Sequence, residues 1–217
     1  MSIGKILIGL TNIPIYIATV YALVRFKEFT SELKAISYFI FFSAIIQTIS
    51  LVLWYYRINN MILLHLYINI GIGLLALFYI NVLHDYLSKK LIITAVGLFW
   101  VASLVDLVVN DKIYKFNSFF LTIESILVII ISLFTFNFIL NKDIRIIKQK
   151  LYSSLMWINS GLFVYYSANV LLFYFGQYIM TVAFGVSAAI NIWLLHSLFN
   201  TLMYTCFIVG LWRWDRN

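Results

Sequence analysis

The chain has 217 residues, of which 64% are apolar and only 11% charged, and its formal charge is +7. A soluble domain is about half apolar and about a quarter charged, so the composition excludes an ordinary soluble globule and predicts an integral membrane protein. The basic residues lie in short clusters between apolar runs, which argues against nucleic acid as a partner, and the single cysteine, Cys206, excludes an intramolecular disulfide and a Cys-based metal knuckle.

A helix needs about 20 mostly apolar residues to cross a hydrocarbon core of about 30 Å. The first run that qualifies, Ile6 to Val24, follows Lys5 and carries Asn12 and Pro14. It lacks a small-x-small cleavage site and is followed at once by Arg25 and Lys27, so it is expected to be a retained helix and not a signal peptide. Six more runs follow: Ala35 to Tyr56, Met61 to Leu83, Leu91 to Val109, Ser118 to Leu140, Ser154 to Phe175, and Met180 to Leu211. The last exceeds one crossing and must tilt or enter the interface.

The polar links are Arg25 to Lys34, Arg57 to Asn60, His84 to Lys90, Asn110 to Asn117, Asn141 to Ser153, and a short Gly176-Gln177-Tyr178 turn. None could hold a soluble domain. The expected fold is therefore all-α, a single transmembrane bundle of seven helices in the cell membrane. Barrel strands would alternate apolar and polar residues, and these runs are continuous and too long for that.

Orientation follows from the basic residues. With the N-terminus outside, the inner side holds Arg25, Lys27, Lys34, Lys89, Lys90, Lys142, Arg145, Lys148, Lys150, Arg213 and Arg216. The outer side holds Lys5, Arg57, Lys112 and Lys115 alone. That imbalance predicts an outer N-terminus and a cytoplasmic C-terminus. Trp54, Tyr55 and Tyr56 would close the second run at the outer interface, and Trp212 and Trp214 the seventh at the inner one.

Ionisable groups within hydrocarbon are costly and usually functional. Of the eight acids, Asp106 and Glu124 alone fall inside runs, on consecutive helices joined by a short link. Counted at about 1.5 Å per residue, they lie roughly 6 and 9 Å from the outer ends of those helices. His65 and Asn69 on the third run are spaced i, i+4 and so share one face, and His65 lies at about the depth of the acids. Asn12, Asn169 and Asn191 add further polar groups, and His196, Asn200 and Tyr204 form a ladder on the seventh run beside Ser197 and Thr201. Two accounts of these groups compete: a polar pocket open to the outside, or hydrogen bonds that hold helices together.

No lysine lies within any run, which removes a retinal Schiff base. His65, His196, Asp106 and Glu124 form no HxxxH or HExxH pair, so a metal enzyme has little support, and bis-histidine haem would require His65 and His196 at matching depths. No catalytic constellation, cofactor or metal site is expected. The favoured expectation is a receptor-like or signalling-accessory protein with an outward polar pocket for a small ligand or proton, formed by Glu124, Asp106, His65, Asn69, Asn12, His196 and Asn200. Its basic inner loops would meet anionic headgroups or a cytoplasmic protein. The alternatives are a small-solute transporter, a structural or assembly subunit of a membrane complex, and an intramembrane metal-dependent enzyme.

Overall fold

The computed structural model describes residues 9–110, 113–141, 149–182 and 185–215, with the side chains of 175–191 and 215 outside that description. The described residues form α1 (Ile13–Arg25), α2 (Ser31–Tyr55), α3 (Met61–Val82), α4 (Lys89–Val109), α5 (Ser118–Leu140), α6 (Gln149–Val182) and α7 (Gly185–Asp215), with a 3-10 turn at Phe26–Glu28. The protein is all-helical. Six of the helices, α2 to α7, are long and apolar enough to cross a membrane. Leu98, Val105, Leu133 and Leu171 are more than half exposed where a soluble protein would place charges, as expected of faces turned to lipid.

Three boundaries differ from those expected of the sequence. The first run is not one continuous helix: a turn at Thr11–Asn12 precedes α1. Pro14 is the cause, because its ring would clash with the carbonyl four residues back, at Leu10, while its missing N–H costs nothing in the first turn of a new helix. Second, α2 starts at Ser31 and not at Ala35, since Leu33 is fully buried and Glu32 suits the positive end of a helix dipole. Third, α6 continues through Gly176, Gln177 and Tyr178 to Val182 in place of the expected turn. A lone glycine costs a helix only about 1 kcal/mol against alanine, too little to end one. The 34 residues of α6 make it about 51 Å long, more than hydrocarbon alone requires.

The chain divides into two compact units, Ala22–Phe120 and Met1–Tyr21 with Leu121–Asn217. In the first, α2, α3 and α4 run antiparallel in succession. Tyr67 stacks on Phe42 at 6.2 Å, and Asn60 at the start of α3 donates to Ser50 Oγ on α2 at 2.8 Å. The Trp100 ring of α4 lies where a Cβ on Gly73 of α3 would be, 2.8 Å away, and its Nε1–H donates to the Asn69 carbonyl at 2.7 Å. α2 ends in a Schellman motif: the Arg57 N–H reaches the Trp54 carbonyl at 3.1 Å and the Ile58 N–H the Leu53 carbonyl at 2.9 Å. Arg57 pays for this with φ of 60°, a conformation that usually belongs to glycine.

In the second unit α5, α6 and α7 are likewise antiparallel. Asn159 of α6 donates to the Ser132 carbonyl of α5 at 3.0 Å. α6 and α7 meet at two glycines: a Cβ on Gly161 would stand 2.8 Å from Cys206 Cβ, and one on Gly210 2.7 Å from Ile158 Cγ1. Small residues at such crossings let helices approach without a solvent-driven hydrophobic force. Between them Ser154 Oγ donates to the Gly210 carbonyl at 2.6 Å, fixing the register of the seam.

Candidate functional site

In the Ala22–Phe120 unit the polar side chains organise the link between α4 and α5. Asp106, in the last turn of α4, accepts from Asn110 Nδ2 at 2.7 Å and from Asn117 Nδ2 at 2.6 Å. Asn117 immediately precedes α5 and takes the Phe120 N–H on its own Oδ1 at 3.5 Å, in the manner of an N-cap. The carboxylate thus holds the residue that starts the next helix. His65, buried on α3, donates from Nε2 to the Lys115 carbonyl at 3.2 Å, because a carbonyl can only accept. Asn59 Nδ2 donates to the neighbouring Tyr114 carbonyl at 3.2 Å. The α2–α3 and α4–α5 links therefore lie at the same end of this unit.

Asn69 donates to the His65 carbonyl at 2.9 Å and to Ser103 Oγ on α4 at 3.2 Å. The shared face expected for His65 and Asn69 is thus occupied by contacts within and beside α3. Of the sequence-selected residues, Asp106, His65 and Asn69 all serve this unit's helix–link and helix–helix contacts.

Glu124, His196, Asn200 and Asn12 belong to the other unit. Glu124 is the more deeply set acid: it is 2% exposed, six residues into α5. Its one hydrogen bond among the described residues comes from the Tyr166 hydroxyl of α6, at 3.4 Å, and no described cation pairs with it. Asn169, one turn along α6 from Tyr166 and on the same face, is 3% exposed. Its Oδ1 is buried with no partner among the described residues.

Tyr165, adjacent to Tyr166, has its hydroxyl 3.0 Å from His196 Nε2 on α7. The rings of Tyr165, Phe173 and Trp193 surround that imidazole at centroid distances of 5.6, 5.4 and 5.6 Å. The rest of the α7 ladder also faces the interior, with Asn200 and Tyr204 buried. The Thr201 hydroxyl, beside it, lies 2.9 Å from both the Thr11 carbonyl and the Ser197 carbonyl one turn back, so its one proton is shared between the break that precedes α1 and its own helix. Asn12 is buried at that break, its N–H 3.3 Å from the Gly9 carbonyl. The side chain of Asn191 lies outside the described residues.

Sequence reasoning missed Tyr166, Tyr165, Trp193 and Asn117. A tyrosine within an apolar run has no feature that separates a carboxylate partner from an interfacial anchor. Asn117 did carry a signal, as an Asn directly before an apolar run.

A buried carboxylate without a counter-charge costs several kcal/mol. A hydrogen bond between membrane helices returns about 0.6 kcal/mol on average and no more than about 2. The Tyr166 contact alone would not offset that cost for an ionised Glu124. Among the described residues, no three of His, Cys, Asp and Glu gather closely enough to hold a metal ion. Comparison with known proteins finds no family model, no curated protein and no solved structure that matches this chain.

Proposed function

We propose that this is a seven-span protein of the cell membrane, N-terminus outside and C-terminus cytoplasmic, of receptor-like or signalling-accessory type. A small ligand or proton would be held within the α5–α7 unit at Glu124. The observation that carries this reading is the burial of Glu124 with, among the described residues, one weak hydrogen bond at 3.4 Å and no counter-charge. Such a group is a costly way to join helices and a direct way to attract a positive charge or a proton donor. Convergence with Asp106 and His65, expected from helix depth, is not required.

Seven spans follow if the segment before Thr11 continues the path of α1, whose 13 residues reach only about 20 Å. Sidedness rests on the basic residues, eleven of the fifteen falling on the assigned inner side. Those inner ends would attract anionic headgroups or a cytoplasmic protein able to relay a signal. Transport is the second reading, favoured by the broken entry to α1 and its Thr201 bridge, since transporter sites often lie beside discontinuous helices.

Thiol labelling separates these readings. Cys206→Ser gives a cysteine-free chain, into which single cysteines are placed at His196, Asn200 and Tyr204. A receptor pocket should react with a membrane-impermeant reagent from outside only, and a transporter from both sides. Labelling from neither side at all three positions would leave a sealed structural bundle and defeat both readings. A tag between Asn110 and Asn117 should be reachable from outside; one reachable only from within would reverse the orientation.

A further inference from the structure

We infer that Glu124, Tyr166 and Asn169 form a binding site for a small monovalent cation, an inference that rests on the proposed ligand-holding role of Glu124. The three side chains belong to two antiparallel neighbours in one unit. Tyr166 bridges them, with its hydroxyl 3.4 Å from Glu124 Oε1 on α5 and Asn169 one turn further along its own face of α6. With Glu124 ionised, the acceptors of these three side chains exceed the donors offered by the described residues. In the ionised form that a bound cation would stabilise, the Glu124 carboxylate can accept several bonds and receives one from the described residues, and the Asn169 Oδ1, on a side chain 3% exposed, receives none from them.

Three described groups of this unit that could donate are engaged elsewhere. The Ser125 hydroxyl is committed to the Leu121 carbonyl at 2.7 Å. His196 faces Tyr165 at 3.0 Å within its three aromatic rings, and the Arg213 guanidinium lies on Trp157 at 5.5 Å and Ser153 at 3.2 Å, at the far end of the α6–α7 seam. A ligand that brings positive charge and no acceptor of its own satisfies Glu124 and Asn169 together.

Size and charge narrow the class. Divalent calcium takes about 6–8 oxygen ligands and is usually held by several carboxylates, whereas this place offers one carboxylate, one phenol and one amide. A single carboxylate balances a single positive charge. Burial on both helices excludes a bulky cation. Sodium and a small ammonium ion share the required chemistry, and they differ in needing oxygen coordination or directed N–H bonds.

The test uses the full chain in lipid nanodiscs at fixed pH and ionic strength, with unfolding followed by tryptophan fluorescence. N-methylglucamine chloride is replaced stepwise by sodium, ammonium or methylammonium chloride. The expected result is a saturable rise in Tm with at least one of the three, roughly 5–10 °C at a hundredfold excess over Kd. A response to sodium alone identifies a metal-ion site, and a response to the ammonium ions alone an amine site. Glu124→Gln should abolish the rise, Asn169→Leu should raise the midpoint concentration about tenfold or more, and Asp85→Asn, an exposed acid, should leave it intact.

Equal Tm in all four salts, or an unchanged cation response in both site variants, overturns the inference. If Glu124→Gln does not fold, Asn169→Leu decides. Asn169→Cys in the Cys206→Ser background distinguishes this failure from that of the underlying reading. Labelling from one side with no cation effect removes the cation and leaves a ligand site, whereas no labelling and no cation effect remove both.

Discussion

Adding one methyl group at Gly161 or Gly210 should force the α6–α7 seam apart, with a cost that can be worked from the contacts. A Cβ on Gly161 would lie 2.8 Å from Cys206 Cβ and 3.0 Å from the Met203 carbonyl oxygen; on Gly210 it would lie 2.7 Å from Ile158 Cγ1 and 2.9 Å from the Ser154 carbonyl oxygen. Carbon atoms prefer about 3.5–4.0 Å, so the helices must separate by about 0.7–1 Å. Backbone oxygens cannot swing aside as a side-chain end can. The same displacement stretches the 2.6 Å bond from Ser154 to Gly210 and weakens dispersion contacts along the pair. Overpacking of this kind costs about 1–3 kcal/mol per site. Because one separation relieves both clashes, Gly161→Ala with Gly210→Ala should cost less than the two single changes summed. Gly97 on α4 is the control: a Cβ there meets nothing within 4 Å, and alanine should stabilise by up to about 1 kcal/mol. Equilibrium unfolding in mixed detergent micelles measures all four variants. Single variants within about 0.3 kcal/mol of the parent, or strict additivity in the pair, would refute the packing account.

Arg57→Gly should stabilise the chain by about 1 kcal/mol, since it relieves a left-handed residue at φ 60° while keeping both Schellman bonds; the same unfolding assay reads it, and a loss of stability would contradict that assignment. Asp106→Leu should remove two bonds of 2.7 and 2.6 Å, each worth about 1.5–3 kcal/mol because the acceptor is charged, and speed amide exchange at the start of α5 more than elsewhere. Thr201→Val should cost about 0.5–1.5 kcal/mol through loss of the hydroxyl shared between the Thr11 and Ser197 carbonyls, and Thr201→Ser should restore it. Gly73→Ala should push the Trp100 ring off α3, seen as a changed emission maximum in a chain whose other tryptophans are replaced by phenylalanine.

The helices were legible because each apolar run had to match a bilayer, and α5 begins and ends where the hydropathy of its run does. The entry to α1 was half legible: Asn12 and Pro14 marked an irregularity, but nothing in the run showed that Thr201, 190 positions away, would take the Thr11 carbonyl. The pairings Glu124 with Tyr166 and His196 with Tyr165 were hidden for a related reason. A soluble helix shows its inward face by an apolar stripe every 3.6 residues, and helices apolar on every side carry no such stripe, so their rotation and register cannot be read.

One quantity visible in the sequence does separate the two membrane acids: distance from the nearest helix end, taken as reach and not as depth. Asp106 stands three residues before the end of α4, about 4.5 Å along the axis, so its carboxylate can extend past Val109 and accept from Asn110 and Asn117 in the link. Glu124 stands six residues into α5, about 9 Å from Ser118, farther than its side chain can span to the link's backbone or water. Its partner had to come from another helix, and the phenol of Tyr166 at 3.4 Å supplies one weak donor where a carboxylate can take several. The same kind of residue therefore does different work on adjacent helices. Near an end it is a fastening of the chain to itself, and one turn deeper it is left with one weak donor among the described residues, which is why the ligand role is proposed for Glu124 and not for Asp106.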